Sequence, residues 1–154
     1  MKILVCISNV PDTTAKINFT PDNKDFVSSG VTFILNPYDE IALSRAVDLA
    51  ANGGSVTVLN VGDASTEPTM RKALAIGATD AVRINAAPRD SFFVASQIAA
   101  HVRNNAYDMI LCGRESSDHN GSAVPAMVAE MLGLPCVLFA KSLNIEGGKA
   151  VLDC

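Results

Sequence analysis

Short, continuously apolar runs rich in β-branched residues constrain the fold of this chain more than any other feature. Four of them lie at 2–8, 55–61, 80–84 and 107–112, and a shorter fifth lies at 136–139. Runs of this length without polar alternation are typical of strands buried on both faces of a parallel sheet. They are also too short to cross a membrane, so no membrane span is predicted.

The intervals between these runs predict four helices, at 38–52, 66–76, 90–105 and 122–132. Asp90 and Ser122 stand where an N-cap is expected, and Gly77 and Gly133 are suited to the ends of two helices. The first helix is predicted to bury one face, made of Ile41, Ala42, Ala46, Leu49 and Ala50.

Strands that alternate with helices indicate right-handed βαβ units. We therefore expect residues 1–154 to form one α/β domain, a doubly wound, mostly parallel five-stranded sheet in the order 3-2-1-4-5 that resembles the adenine nucleotide α-hydrolases. Residues 142–152 predict a hairpin around Gly147 and Gly148. The long polar connection 9–37 returns through apolar residues 31–35, which favours packing onto the domain.

Charge and cysteine usage exclude some function classes. The net charge is −4 and no cluster of Lys and Arg occurs, so a nucleic-acid partner is not expected. Cys6, Cys112 and Cys136 lie in apolar runs, and no two of the four cysteines have the spacing of a zinc knuckle or a redox pair. Buried thiols in a reducing cytoplasm are the expectation.

A nucleotide site is predicted at the carboxyl edge of the sheet, where doubly wound folds bind ligands. The loop 113–122 follows the fourth strand, and Gly113 would let a ligand approach the backbone. The N–H groups of Gly121 and Ser122 would meet a phosphate at the start of the next helix. The alternative is that Asn120 and Gly121 form a turn and that Ser122 is an ordinary cap. Neither a Walker A loop nor a Gly-x-Gly-x-x-Gly motif is present.

Catalytic arrangements are not evident in the sequence. Asp118 and His119 are too few for a metal site, and no nucleophile elbow surrounds Ser116 or Ser117. Asp39, with Glu40 beside it at a helix start, is expected to compensate the helix dipole. We therefore expect a binding protein and not an enzyme.

Four segments, taken in order, resemble the β subunit of electron transfer flavoproteins. The opening strand continues through Pro11-Asp12 to Lys16-Ile17, and a helix begins at Asn36-Pro37-Tyr38-Asp39-Glu40. Residues 71–80 (RKALAIGATD) and 108–113 (DMILCG) match two further family segments. Each match is modest, but together they extend over nearly the whole chain.

The resemblance implies an electron-carrier subunit that binds AMP in the crevice, while the redox-active FAD is held mainly by a partner α subunit. It also implies flavin dehydrogenases, such as acyl-CoA dehydrogenases, as electron donors. On this basis the adenosine would lie against the backbone of Cys6 and against Asn36, Pro37, Tyr38, Asp39 and Val61. The ribose and phosphate would be bound by Gly113, Asn120, Gly121 and Ser122.

Departures from the family pattern concern the ligand and the length. The loop 113–122 is shorter than in common AMP-binding members, and it lacks the Gly-Asp-Thr-Ala-Gln-like string of bifurcating relatives, which hold a second FAD in this crevice. This favours AMP over FAD. The family's subunit continues past the position of Cys154 into an Asp-Gly-Gly signature and an arm around the α subunit, so the chain is expected to be a fragment. A universal-stress-protein-like nucleotide-binding module is the main alternative.

Overall fold

Strands and helices alternate along the chain, which the computed structural model describes over residues 1–154. The strands are β1 (Lys2–Cys6), β2 (Asn9–Pro11), β3 (Phe33–Leu35), β4 (Ser55–Val61), β5 (Asp80–Ile84), β6 (Met109–Cys112), β7 (Ser142–Glu146) and β8 (Lys149–Asp153). The helices are α1 (Pro37–Ala50), α2 (Glu67–Ile76), α3 (Ser91–Arg103) and α4 (Val124–Leu132). The predicted α/β class is confirmed.

Four parallel strands form the central sheet, in the order β5-β4-β1-β6. Ile3 of β1 pairs with Val56 on one side and with Met109 on the other. Residues Ile3, Leu4 and Val5 are fully buried, since β1 is covered on both faces and both edges. The predicted doubly wound order of the first four strands is confirmed.

Helices cover both faces of the sheet. Ile3 and Val5 point to the face covered by α1 and α2, where they share an apolar core with Leu43 and Met70. Leu4 points to the opposite face and shares a second core with side chains of α3 and α4. This alternation follows from the two-residue repeat of a strand. Because helices cover both faces, most residues of these strands are apolar.

The predicted fifth strand at 136–139 does not form, and the sheet has four strands. These residues are exposed, as is Cys136, so the expectation that this thiol is buried is wrong. Phe139 has a φ of +59°, which is incompatible with an extended strand. An apolar run therefore predicted a strand here that the local backbone does not support.

Helix boundaries agree with the sequence at two starts and differ at a third. Asp90 caps α3 by accepting a hydrogen bond from Phe93 N at 2.7 Å, and Glu67 begins α2 as its Pro-containing start predicts. Ser122 does not cap α4, whose N-cap is Ala123, because a φ of +46° places Ser122 outside the helix. Ile41, predicted to be buried in α1, is 67% exposed.

Two smaller sheets flank the central one. The connection 9–37 forms an antiparallel ribbon of β2 and β3, so its apolar return packs onto the domain as predicted. The predicted hairpin is present as β7 and β8, and the guanidinium of Arg45 donates to Leu143 O, with Nε at 2.8 Å. No helix combines the length and the apolar character that a membrane crossing requires.

Candidate functional site

The carboxyl ends of β1 and β6 lie where consecutive strands switch from one side of β1 to the other, which is where doubly wound sheets form a crevice. β1 is hydrogen-bonded to β4 on one side and to β6 on the other. The chain leaves β1 through Ile7-Ser8 and leaves β6 through Gly113, and the amino end of α1 lies between these two exits. This is the position at which doubly wound sheets bind nucleotides.

Asp39 joins the two sides of this crevice. One carboxylate oxygen accepts a hydrogen bond from Ser8 N at 2.7 Å, and the other accepts one from Gly113 N at 3.0 Å. The side chain is buried, and this burial raises the pKa of Asp39 to about 6 against the hydrogen bonds, which lower it. The prediction that Asp39 only compensates the helix dipole is therefore incomplete, because its carboxylate connects α1 to β1 and β6.

Gly113 is required by the packing of α1. A Cβ atom at this position would lie 2.1 Å from Asp39 Oδ1 and 2.7 Å from Asp39 N. The space that a side chain would take is thus filled by the protein itself. Gly113 allows the start of α1 to approach the loop backbone closely, whereas the sequence suggested that it would allow a ligand to do so.

Asn36 fixes the polar loop that follows β6. Its side chain is 1% exposed, and its Nδ2 donates to Glu115 O at 2.8 Å. Its Oδ1 accepts a hydrogen bond from Ser117 N at 3.2 Å. The amide matches both a donor and an acceptor of the loop backbone, which no carboxylate or aliphatic side chain could do.

The distal part of the loop has an uncommon backbone conformation. Asn120 and Ser122 have φ values of +50° and +46°, whereas Gly121 between them does not have a positive φ. Gly121 is exposed, and a Cβ atom there would have only Ser91 Oγ, at 4.0 Å, as a neighbour. Ser122 Oγ lies 3.5 Å from Glu115 Oε2. The loop thus reaches from the start of α1 towards the start of α3.

Cys6, Cys112 and Val61 lie beneath the crevice. Cys6 and Cys112 are paired across β1 and β6, and both belong to the apolar core that contains Val61. The neighbouring Cys112 thiol, followed by burial, raises the pKa of Cys6 well above its usual value. Cys6 is therefore a neutral thiol, and its contribution to a ligand would come from its backbone.

The residues that the sequence nominated have different surroundings in the structure. Asp39 accepts a hydrogen bond from Gly113 N, and Asn36 is hydrogen-bonded to the loop that follows Gly113. Pro37 is exposed and Tyr38 is half-buried in the first turn of α1. Asn120, Gly121 and Ser122 lie farther along the loop, and no hydrogen bond joins them directly to Asn36 or Asp39.

Three contributors were not singled out from the sequence. Ser8 binds Asp39 only through its backbone, which leaves no sequence signal. Asn60 is a polar residue within the apolar run 55–61, and that contrast could have marked it; its Nδ2 donates to Ile7 O at 2.9 Å. Glu115 lies in the polar loop already considered, but only the structure shows that its carboxylate faces Ser122.

Two buried polar atoms at this edge of the sheet have no hydrogen-bond partner in the protein, namely Ser117 Oγ and Asn60 Oδ1. Unpaired buried polar atoms are uncommon and often mark a position that a water or ligand completes. Ser117 is the more informative of the two, because it lies in the loop that lines the crevice.

Other parts of the molecule offer weaker sites. Two open cavities, of about 340 and 330 Å³, lie away from the crevice. The first is formed within the connection 12–32 and the second at the amino end of the sheet, where parallel α/β sheets do not usually bind ligands. No group of three or more metal-ligating side chains occurs.

Comparisons with known proteins agree with this geometry. The family described as electron transfer flavoprotein domain matches residues 25–153. The chain is 34% identical to electron transfer flavoprotein subunit beta of Thermoanaerobacterium thermosaccharolyticum, with 99% of this chain and 60% of that protein covered. It is 36% identical to the protein of the same name from Syntrophomonas wolfei, with 97% and 60% covered.

A third relative is named as part of a larger assembly. Caffeyl-CoA reductase-Etf complex subunit CarD of Acetobacterium woodii is 30% identical, with 99% of this chain and 60% of that protein covered. The chain thus spans about 60% of the length of these curated relatives. The sequence motifs, the sheet order and these matches have one common explanation: the chain belongs to the electron transfer flavoprotein family.

Proposed function

We propose that the chain is the nucleotide-binding part of an electron transfer flavoprotein β subunit, and that it holds AMP as a structural ligand. The observation that carries this proposal is the crevice at the carboxyl ends of β1 and β6, whose walls are joined by Asp39 and whose loop is fixed by Asn36. Family membership sets aside the universal-stress-protein alternative.

The residues of the crevice are divided in this proposal between an adenosine side and a ribose and phosphate side. Cys6, Asn36, Pro37, Tyr38, Asp39 and Val61 form its adenosine side in this proposal, and Gly113, Asn120, Gly121 and Ser122 its ribose and phosphate side. The first N–H groups of α4 have no side chain as an acceptor. Ser117 Oγ also has no hydrogen-bond partner in the protein. Asp39 has both carboxylate oxygens engaged by backbone N–H groups, so its role is to hold the walls of the site.

The whole protein is proposed to act as an electron carrier and not as an enzyme. Its partner would be an electron transfer flavoprotein α subunit that holds most of the FAD, and the donors would be flavin dehydrogenases such as acyl-CoA dehydrogenases. A cytoplasmic location is consistent with four free cysteines. FAD supplies the redox chemistry in such an assembly, while this chain positions and shields a nucleotide.

Mass spectrometry of the nucleotide released by denaturing the natively purified chain tests the ligand. We expect AMP in a ratio near one per chain. FAD in that ratio would mean that the crevice binds FAD and not AMP, as the resemblance implies for bifurcating members. Absence of bound nucleotide, together with no measurable binding of adenosine or AMP, would contradict the proposal.

A matched pair of asparagine variants tests the location. Asn36→Ala removes both hydrogen bonds to the loop, so the affinity for AMP should fall roughly tenfold or more. Asn18→Ala changes an exposed asparagine whose side chain makes no hydrogen bond, and it should leave the affinity unchanged. Equal AMP affinities in the two variants would place the nucleotide elsewhere.

A further inference from the structure

We propose that Glu115 is a specificity-determining residue of the crevice, whose carboxylate limits the negative charge that a bound nucleotide can bring to the start of α4. This inference rests on the proposed nucleotide site and adds a selection by charge: adenosine is unaffected, AMP is tolerated and ADP is rejected more strongly.

The backbone of Glu115 is held in place. Its carbonyl oxygen accepts the hydrogen bond from Asn36 Nδ2 at 2.8 Å, and two residues later Ser117 N donates to the same asparagine at 3.2 Å. Asn36 is itself buried. A ligand therefore cannot move Glu115 away by shifting this part of the loop unless it breaks both contacts.

The carboxylate of Glu115 faces the site proposed for the phosphate. Its Oε2 lies 3.5 Å from Ser122 Oγ, and Ser122 directly precedes Ala123, the N-cap of α4. The side chain is only 15% exposed, so bulk solvent screens its charge incompletely. It thus supplies a built-in anion beside the helix terminus at which a nucleotide phosphate would otherwise be favoured.

The cation beside Glu115 is poorly placed to cancel this charge. Arg114 Nε is 3.8 Å from Glu115 Oε1, beyond a short hydrogen bond, and the arginine side chain is 59% exposed. The guanidinium also lies over the ring of Phe139, 5.2 Å from its centroid. Arg114 thus approaches Oε1 from a largely exposed position, and no ion pair involves Oε2, the oxygen that faces Ser122.

Asp118 provides a matched control within the same loop. Its Oδ1 accepts a hydrogen bond from His119 N at 2.8 Å, and its Oδ2 lies 3.7 Å from His119 Nε2. The carboxylate is thus directed to its neighbour in the loop, and no contact connects it to Ser122. Removing this charge changes the net charge of the loop by the same amount as removing the charge of Glu115.

Isothermal titration of the 154-residue chain with adenosine, AMP and ADP tests the inference, after co-purified nucleotide has been removed with charcoal. In Glu115→Gln the affinity for adenosine should stay within about twofold, and that for AMP should rise roughly three- to tenfold, as expected for loss of one nearby like charge. The gain for ADP should be larger still. Asp118→Asn should leave all three affinities as they are.

Salt provides an independent measurement, because the difference between wild type and Glu115→Gln for AMP should shrink as ionic strength rises. Parallel weakening of adenosine and AMP binding in Glu115→Gln would overturn the inference, since it would mean that the carboxylate binds the sugar. Equal gains in both variants would also overturn it. If adenosine binds neither wild type nor variant, the proposed nucleotide site itself fails. Should Glu115→Gln fold poorly, Glu115→Ala makes the same comparison.

Discussion

Gly113 and Gly121 lie in the same loop, but the space around their Cα atoms differs. At Gly113 the position of a Cβ atom is already filled by Asp39 and by the start of α1. At Gly121 the surroundings are open, and the left-handed conformations fall on Asn120 and Ser122 on either side. One glycine is thus required by packing, whereas the other is free for a ligand.

Gly113→Ala should lower the free energy of unfolding by about 3 kcal/mol, because either the end of β6 or the start of α1 must move. Gly121→Ala should change it by less than about 0.5 kcal/mol, as is usual at an exposed position. Urea unfolding followed by circular dichroism measures both. Similar midpoints for the two variants would contradict the packing argument.

Asp39 should make the stability of the protein depend on pH below neutrality. Its pKa is about 6 in the native state and 3.8 in an unfolded chain, so the native state binds the proton more tightly between these values. The free energy of unfolding therefore falls as pH rises from about 4 to 6 and is flat above that range. At about 1.4 kcal/mol per pKa unit the total loss is on the order of 3 kcal/mol.

Asp39→Asn isolates this contribution, since the variant has no titrating group at this position. Urea midpoints of both proteins between pH 4 and 7 should show the wild type losing stability relative to the variant as pH rises. Parallel pH profiles would show that Asp39 is not buried as described. The variant's absolute stability is a separate matter, because an amide cannot accept from both Ser8 N and Gly113 N.

At the scale of elements, the strands and helices that depend on local sequence pattern could be predicted from the sequence. The first four strands and the positions of all four helices follow from apolar runs, from Asp90 at a cap, and from Gly77 and Gly133 at helix ends. The segment 136–139 has an equally apolar sequence, yet it lies outside the sheet with exposed side chains. Apolar character indicates that a segment needs to be buried, but not which neighbour will bury it.

At the site, too, features that follow from local sequence pattern could be predicted, and features that depend on tertiary contacts could not. The carboxyl-edge loops could be located from strand order, because that order is set by the βαβ connections. The inward direction of Asp39 and the position of Glu115 could not be predicted, since each depends on a backbone that approaches from a distant part of the chain. Serine is a common N-cap residue, but the backbone conformation of Ser122 excludes that role.

The hairpin of β7 and β8 depends on one residue of α1 for a specific attachment. Arg45 donates through Nε and Nη2 to Leu143 O, and Nη2 also donates to Asn144 Oδ1 at 2.8 Å. Arg45→Met keeps the length of the side chain but removes these donors. We expect faster amide hydrogen exchange across 142–153 and unchanged exchange in β1 and β4. Protection of the hairpin equal to that of wild type would show that other contacts hold it.

At the scale of the whole molecule, a bound nucleotide should stabilise the fold. AMP at a hundred times its dissociation constant adds about 2.7 kcal/mol to the free energy of unfolding. For a domain of this size that corresponds to a rise in Tm of roughly 5–10 °C. Differential scanning calorimetry with and without AMP measures this rise, and Asn36→Ala serves as the control that should lose most of it. An unchanged wild-type Tm at millimolar AMP would contradict binding.

The central position of β1 has a consequence for the order in which the protein can form during synthesis. Met109, the β6 partner of Ile3, is synthesised more than a hundred residues after Ile3. At translation rates of about 5–20 residues per second, β1 waits roughly 5–20 s with one edge unpaired. Over that interval Ile3, Leu4 and Val5, which are fully buried in the native fold, lie in a strand whose only available partner in the sheet is β4. The crevice, which needs both neighbours of β1, can therefore form only after β6 has been translated.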